Sequence, residues 1–519
     1  MSFPRSRRLF LGDVGKGMLI ATIGPALAGD LRLARAAAEA PPEALSFGEL
    51  EPLVRLLQET PIGQLNALLV KKIRGGTDLK TLTAAGALAN ARTFGGEDYV
   101  GFHTMMALGP AYRMSREQPQ KLRPLPVMKV LYRNTNRIGE QGGRKAEVLH
   151  AVPAGDLPAS SLDGVGLRGA VRAKNVNHAE RIFAGIVNRG VDEAFNALLV
   201  AVEDDTEVHR TVLPYRAWEM LDLVGREQAQ TLLRQSVRYC VKAESWQRDG
   251  ADRTRQVLPA LMEKYKLMDK TPGTRGADDA FVEKLSQTIF SHSREEAAEA
   301  AAAALADGFS PDLVGEAISL AANQIILRDV GRQPRDEAPG KPLGSVHGDS
   351  IGVHACDSAN AWRHMARAAN PRNTFACVIL GAYQVARDRV NRGGDFLAWQ
   401  PLPLRQHLNG VRSQDAATLL AEADDAIRGN LQARAAAIVH RYGELGHAHR
   451  PMFDLMLKYA ISEDGSLHAE KYYRTTSDEF ANTRPAFRWR QAVALARVTA
   501  SEYGRPAPGM AEAREMIGA

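Results

Sequence analysis

Apolar residues along this chain recur at steps of three and four, not two. The run Glu193-Ala-Phe-Asn-Ala-Leu-Leu-Val-Ala-Val202 shows the pattern, and so does Glu295-Glu-Ala-Ala-Glu-Ala-Ala-Ala-Ala-Ala304. That periodicity predicts amphipathic helix, and the abundance of alanine favours it. Alternating β-branched runs are scarce. Glycine and proline break the pattern at Gly75-Gly76, Gly95-Gly96 and Gly308-Phe-Ser-Pro311, where turns are expected. Three segments repeat loosely: Arg74 to Asn90, Arg189 to Val202 and Asp307 to Asn323. Each reads as a turn, an acidic helix start and an apolar helix. The expectation is an all-α protein built as an array of helical pairs, a divergent repeat of solenoid or toroid type. One stretch, Gly331 to Gly352, holds three prolines and five glycines. A polar loop of that length fits a functional lid.

The N-terminus departs from this pattern. Ser6-Arg7-Arg8-Leu9-Phe10-Leu11 is followed by an apolar stretch from Met18 to Ala28 and by small residues through Ala38. The order of basic leader, short apolar run and small-residue cleavage site resembles a twin-arginine export signal. The apolar run is too short for a stable membrane span, which takes about 20 residues. The organisation read from this is a signal peptide over 1–38 and a single helical domain over 39–519. The resemblance implies a periplasmic or otherwise exported protein that meets the twin-arginine export machinery. It also implies passage in the folded state, often with a cofactor already in place.

The formal charge of +6 falls to about +2 once residues 1–36 are set aside, because Arg5, Arg7, Arg8, Lys16, Arg32 and Arg35 outweigh Asp13 and Asp30 there. No nucleic-acid partner is expected from so small a balance, and no stable membrane span. Cys240, Cys356 and Cys377 are the only cysteines and form no CxxC or CxxCH motif. That speaks against a disulfide framework, an iron–sulfur cluster and covalent haem, although one disulfide remains open. No GxGxxG-bearing strand–helix unit and no HExxH motif is evident.

The 13 histidines are more telling by place than by number. Four segments share a small or acidic loop, a histidine and a helix with aromatic content. They hold His103, His209, His354 and the pair His447 and His449. Equivalent positions of a repeat face one another when the repeats share an axis, so four imidazoles would converge on one metal. Imidazole suits iron, copper, nickel and zinc. His178, His292, His364, His407 and His440 lack the context and read as surface or packing residues, and His347 lies in the candidate lid. Tyr112, Trp218, Trp362 and Met105 are candidates for a pocket lining or for core.

The stretches Val353-His354-Ala-Cys-Asp-Ser-Ala-Asn-Ala-Trp-Arg363 and Gly465-Ser-Leu-His468-Ala-Glu-Lys471-Tyr-Tyr resemble the questin oxidase-like family. That family includes cofactor-poor oxidases and iron-dependent oxygenases that open aromatic polyketide rings. The likeness spans roughly residues 50–500. It implies four histidines and a carboxylated lysine around a non-haem iron, Fe(II). Carried across, these are His103, His209, His354, His449 and Lys471, with His447 and His468 competing for the fourth histidine. His468 precedes Lys471 by three, on one face if the segment is helical. The activity implied is oxidation by dioxygen of an aromatic or apolar small-molecule substrate. Two other readings stand beside it, a non-catalytic helical scaffold that binds a partner protein and a zinc-dependent hydrolase.

Overall fold

The computed structural model describes residues 43–155, 157–246, 251–338, 342–348, 350–391 and 395–518. About 73% of the chain is helical, with no strand among the described residues. The expected all-α array of paired helices is what the chain forms. The three repeat segments are helices over Leu79–Phe94, Val191–Val202 and Pro311–Arg328. Asp78 caps the first by accepting from Thr81 N, and Ser310 caps the third by accepting from Leu313 N. The export-like segment lies outside the described residues.

Residues Ser46–Ala519 form one unit. Within it the array closes on itself. Asn66, on the helix Ile62–Arg74, donates to Gly509 O at 2.9 Å and to Glu512 Oε2 at 2.7 Å, and Arg74 donates to Met516 O at 2.8 Å. An open solenoid, whose repeats touch only their neighbours, would keep these ends apart.

Ten helices frame the centre of the unit: α1 Leu79–Phe94, α2 Tyr99–Glu117, α3 Pro124–Glu140, α4 Val208–Val224, α5 Ala229–Ala243, α6 Pro311–Arg328, α7 Ile351–Ala368, α8 Pro371–Asn391, α9 His468–Asn482 and α10 Trp489–Glu502. Four of them make a ring: α2 packs on α4, α4 on α7, α7 on α9, and α9 back on α2. Ring helices are buried nearly all round, so small residues recur in them. Gly352 of α7 is one, because a Cβ there would stand 2.7 Å from Ile326 of α6.

Many polar side chains inside this core bond to one another. Asn90 of α1 donates to Gly101 O, to Thr104 Oγ1 of α2 and to Asn134 Oδ1 of α3, at 2.8, 2.8 and 2.7 Å. Ion pairs fix α9 in place. Glu470 meets Lys129 of α3 at 2.6 Å with both side chains buried, and Glu479 accepts from Asn360 and Arg363 of α7 at 2.8 and 2.7 Å.

Among its described residues, the candidate lid is helix in part and held down in part. Its last two residues begin α7. Arg332 N donates to Ser345 O and Gly344 N to Arg332 O, each at 3.0 Å, and this closes the loop's base. Val346 N donates to Ser501 Oγ and Gly348 N to Glu502 Oε1, each at 2.8 Å, so the stretch 346–348 is pinned to α10. A Cβ on Gly348 would lie 2.4 Å from the Cβ of His468. Only glycine lets the loop lie this close, and the described part of the loop serves as a wall.

Candidate metal centre

Each helix of the ring brings a histidine to its N-terminal end: His103 on α2, His209 on α4, His354 on α7 and His468 on α9. Local chemistry sets each start. Asp98 caps α2 by accepting from Gly101 N at 2.7 Å and pairs with Arg137 at 2.6 Å. Glu207 caps α4 through Arg210 N at 3.0 Å, and Ser350 caps α7 through Val353 N. The start of α9 is made by backbone bending. Gly465, Ser466 and Leu467 have φ of 51°, 48° and 66°, a region that costs an ordinary residue about 1–2 kcal/mol. That bend carries His468 inward and supplies Ser466 O to its ring.

The four rings close a circle. Centroid separations are 4.8 Å for His103–His209, 5.9 Å for His209–His354, 5.3 Å for His354–His468 and 5.0 Å for His468–His103. Outward nitrogens are held. His103 Nδ1 donates to Tyr99 O at 2.7 Å, His468 Nδ1 to Ser466 O at 3.1 Å and His209 Nδ1 to Glu207 Oε1 at 2.6 Å. Carbonyl and carboxylate oxygens only accept, so these Nδ1 atoms carry the proton. Burial, reinforced by the charge of Lys471, holds His103 and His468 well below the usual histidine range. Both rings are therefore neutral, and their Nε2 atoms are bare bases.

Those bases face other imidazoles. His103 Nε2 lies 3.3 Å from His209 Nε2, and His468 Nε2 lies 3.2 Å from His354 Nε2. Lone pairs this close need a proton or a cation between them. A metal–imidazole bond of about 2.1 Å places neighbouring nitrogens about 3.0 Å apart in an octahedron and about 3.4 Å apart in a tetrahedron. The spacing within each pair matches either a shared proton or two nitrogens on one transition metal. The nitrogens stand as two close pairs; among the described residues no three His, Cys, Asp or Glu side chains already surround a common point.

Glu207 also accepts from Tyr239 OH at 2.8 Å. Burial raises its pKa, but His209 and the Arg210 amide outweigh that and bring it down to about 2. An ionised carboxylate behind a histidine is the usual way to orient a ligand and raise its basicity. One turn further into the helices lies a second pair. Lys471 follows His468 by three and Asp357 follows His354 by three, both buried. Burial pulls Lys471 down to about 8 against the attraction of Asp357, and burial raises Asp357. Near neutral pH a fraction of Lys471 is the free amine.

His449 is not part of this circle. It is exposed at the start of a peripheral helix, His449–Ser462, with its ring 5.2 Å from that of Phe480. His447 donates from Nε2 to Gln414 O at 2.8 Å, on the same outer side. That N-terminus is turned away from the ring, and the bend before α9 delivers His468 to the fourth place. His347 of the wall lies near enough to press on His468 electrostatically and stands 4.0 Å from Glu502.

The expected aromatic lining sits elsewhere. Trp218 stacks on Phe195 at 4.1 Å, Trp362 donates to Gln384 Oε1 at 2.7 Å, Met105 is in the core and Tyr112 is outside the lining of the two cavities nearest the circle. Tyr99 and Phe102 cover the circle instead, 4.4 and 4.9 Å from His103. A cavity of about 220 Å³ opens on His209 and His354, and a larger one of about 480 Å³, with Phe396 and Trp399 in its wall, shares Ile351 with it as a lining residue. Sequence reasoning missed Glu207, Tyr99 and Phe102. The acidic residue two before His209 was a signal for the first. All three cysteines are buried and free.

No protein-family model, curated protein or solved structure matches this chain.

Proposed function

We propose that the chain is a metal-dependent oxidoreductase whose ligands are His103, His209, His354 and His468, with Lys471 completing the set. The observation that carries the reading is the pairing of Nε2 atoms, 3.3 and 3.2 Å apart, at four converging helix starts. The metal of the reading is a non-haem iron, which would activate dioxygen toward an aromatic or apolar substrate. The likeness of the His354 and Lys471 segments to the questin oxidase-like proteins points the same way.

The chain's own residues supply the rest. Glu207, Tyr99 O and Ser466 O hold three imidazoles with Nε2 turned inward. Lys471, with a free amine in reach at neutral pH, can add to carbon dioxide: a nitrogen–carbon bond forms, the amine loses a proton, and an anionic oxygen ligand results. Tyr99, Phe102 and the pinned wall of residues 346–348 restrict water around the site. The two cavities give a small molecule its approach.

Export in the folded state belongs to the same proposal, since a site drawn from four distant segments exists only after folding. No described helix is long and apolar enough to cross a membrane. Replacing Arg7 and Arg8 together with lysine should strand full-length precursor; unchanged export would remove the twin-arginine reading. The activity is tested on protein purified after iron supplementation. Bound iron with oxygen consumption on aromatic substrates is expected. Zinc without oxygen consumption would overturn the oxidoreductase.

A further inference from the structure

We infer that Asp388 is the proton acceptor of the inner cavity, acting on an ionisable hydroxyl of the bound molecule. Asp388 lies near the end of α8, is 4% exposed, and its Oδ2 has no hydrogen-bond partner. It lines the 220 Å³ cavity together with Tyr99, His209, Ile351, His354 and Arg387. A buried carboxylate oxygen without a partner is costly, and Asp388, as a residue of the cavity lining, gains that partner by turning the oxygen toward a molecule that enters.

The surroundings suit the removal of a proton. Arg387 sits beside it, donating to Thr206 O at 2.7 Å and lying 3.9 Å from Asp205. The starts of α4 and α7 reach the cavity at Val208 and Ile351, and helix N-termini stabilise negative charge; the Glu207 carboxylate, which also lines the cavity, already occupies part of the α4 start. In the step, the O–H bond of the bound hydroxyl breaks, its electron pair stays on that oxygen, and the proton passes to Asp388. The oxyanion is left facing Arg387 and the helix starts.

The charged groups around Asp388 set its working range. Burial pushes it up to about 7; Arg387 and a hydrogen bond from Gln384 oppose that, while Glu207 and Asp205 add to it. A base of that strength is well matched to neutral pH. Asp388 is carboxylate above about pH 7 and accepts a proton there. This inference rests on the proposed centre only in taking the cavity as the approach to it.

The test uses 3-nitrophenol, whose phenolate is coloured, bound to the full-length protein near neutral pH. Wild type should bind it with a rise in phenolate absorbance that grows with pH around a midpoint of about 7. Asp388→Asn should bind it within about threefold by calorimetry and lower the phenolate signal about tenfold. Asp388→Glu should restore part of that signal, and Ile351→Phe, which narrows the cavity, should weaken binding. Equal ionisation in wild type and Asp388→Asn would overturn the proposal, as would absence of binding to wild type. Metal content is read on the same samples. A metal-free wild type overturns the proposed centre and leaves the probe to decide Asp388.

Discussion

Lys471 shows how burial alone can change a residue's chemistry. Its side chain is 2% exposed, and a pKa of about 8 against an unburied 10.5 means the folded chain gives up this proton earlier than the unfolded one. Between those values the unfolded state holds more protons, so stability rises with pH across the window. Metal-free protein should become more stable toward urea from about pH 8 to about pH 10.5, by up to roughly 1 kcal/mol per pH unit relative to Lys471→Met. A difference between the two proteins that does not change with pH would show that Lys471 keeps its ordinary pKa in the fold. The spacing of His468 and Lys471 was visible in the sequence. Their burial was not, because His468-Ala-Glu-Lys471-Tyr-Tyr-Arg looks solvated until Lys129 is placed opposite Glu470.

At the scale of the helix, the centre depends on starts more than on lengths. Three of the four histidine helices begin at a side-chain cap, Asp98, Glu207 or Ser350, and the fourth at a left-handed bend. Ser350→Ala should cost about 1 kcal/mol, seen as a lower denaturant midpoint with an unchanged slope. An unchanged midpoint would mean that packing against α6 and α8 alone fixes the start of α7. His103, His209 and His354 could be picked out because each follows a small or acidic loop and precedes a helix with aromatic content, and the caps at Asp98, Glu207 and Ser350 are what start those helices. The bend at Ser466 and Leu467 carries no sequence signal of its own, since neither residue favours positive φ. His449, with a histidine two before it and a helix after it, matched the pattern better than His468 did. A helix start can be read locally, but the direction it faces is decided by tertiary packing.

For the molecule as a whole, helical periodicity and glycine punctuation made the all-α array legible, because each helix advertises its own period. Closure of the array did not show in the sequence. It depends on contacts such as Asn66 with Gly509 and Glu512, more than 400 residues apart. The ligands of the proposed centre likewise come from four segments far apart in the chain, so a metal bound there reports the closed fold and the site together. Metal content of protein purified after iron supplementation, compared across wild type, His468→Ala and His449→Ala, tests the central claim most directly. About one equivalent of transition metal in wild type and His449→Ala, with less than about a tenth in His468→Ala, is the predicted result. Loss of metal on replacing His449 but not His468, or a wild type that binds none, would contradict it.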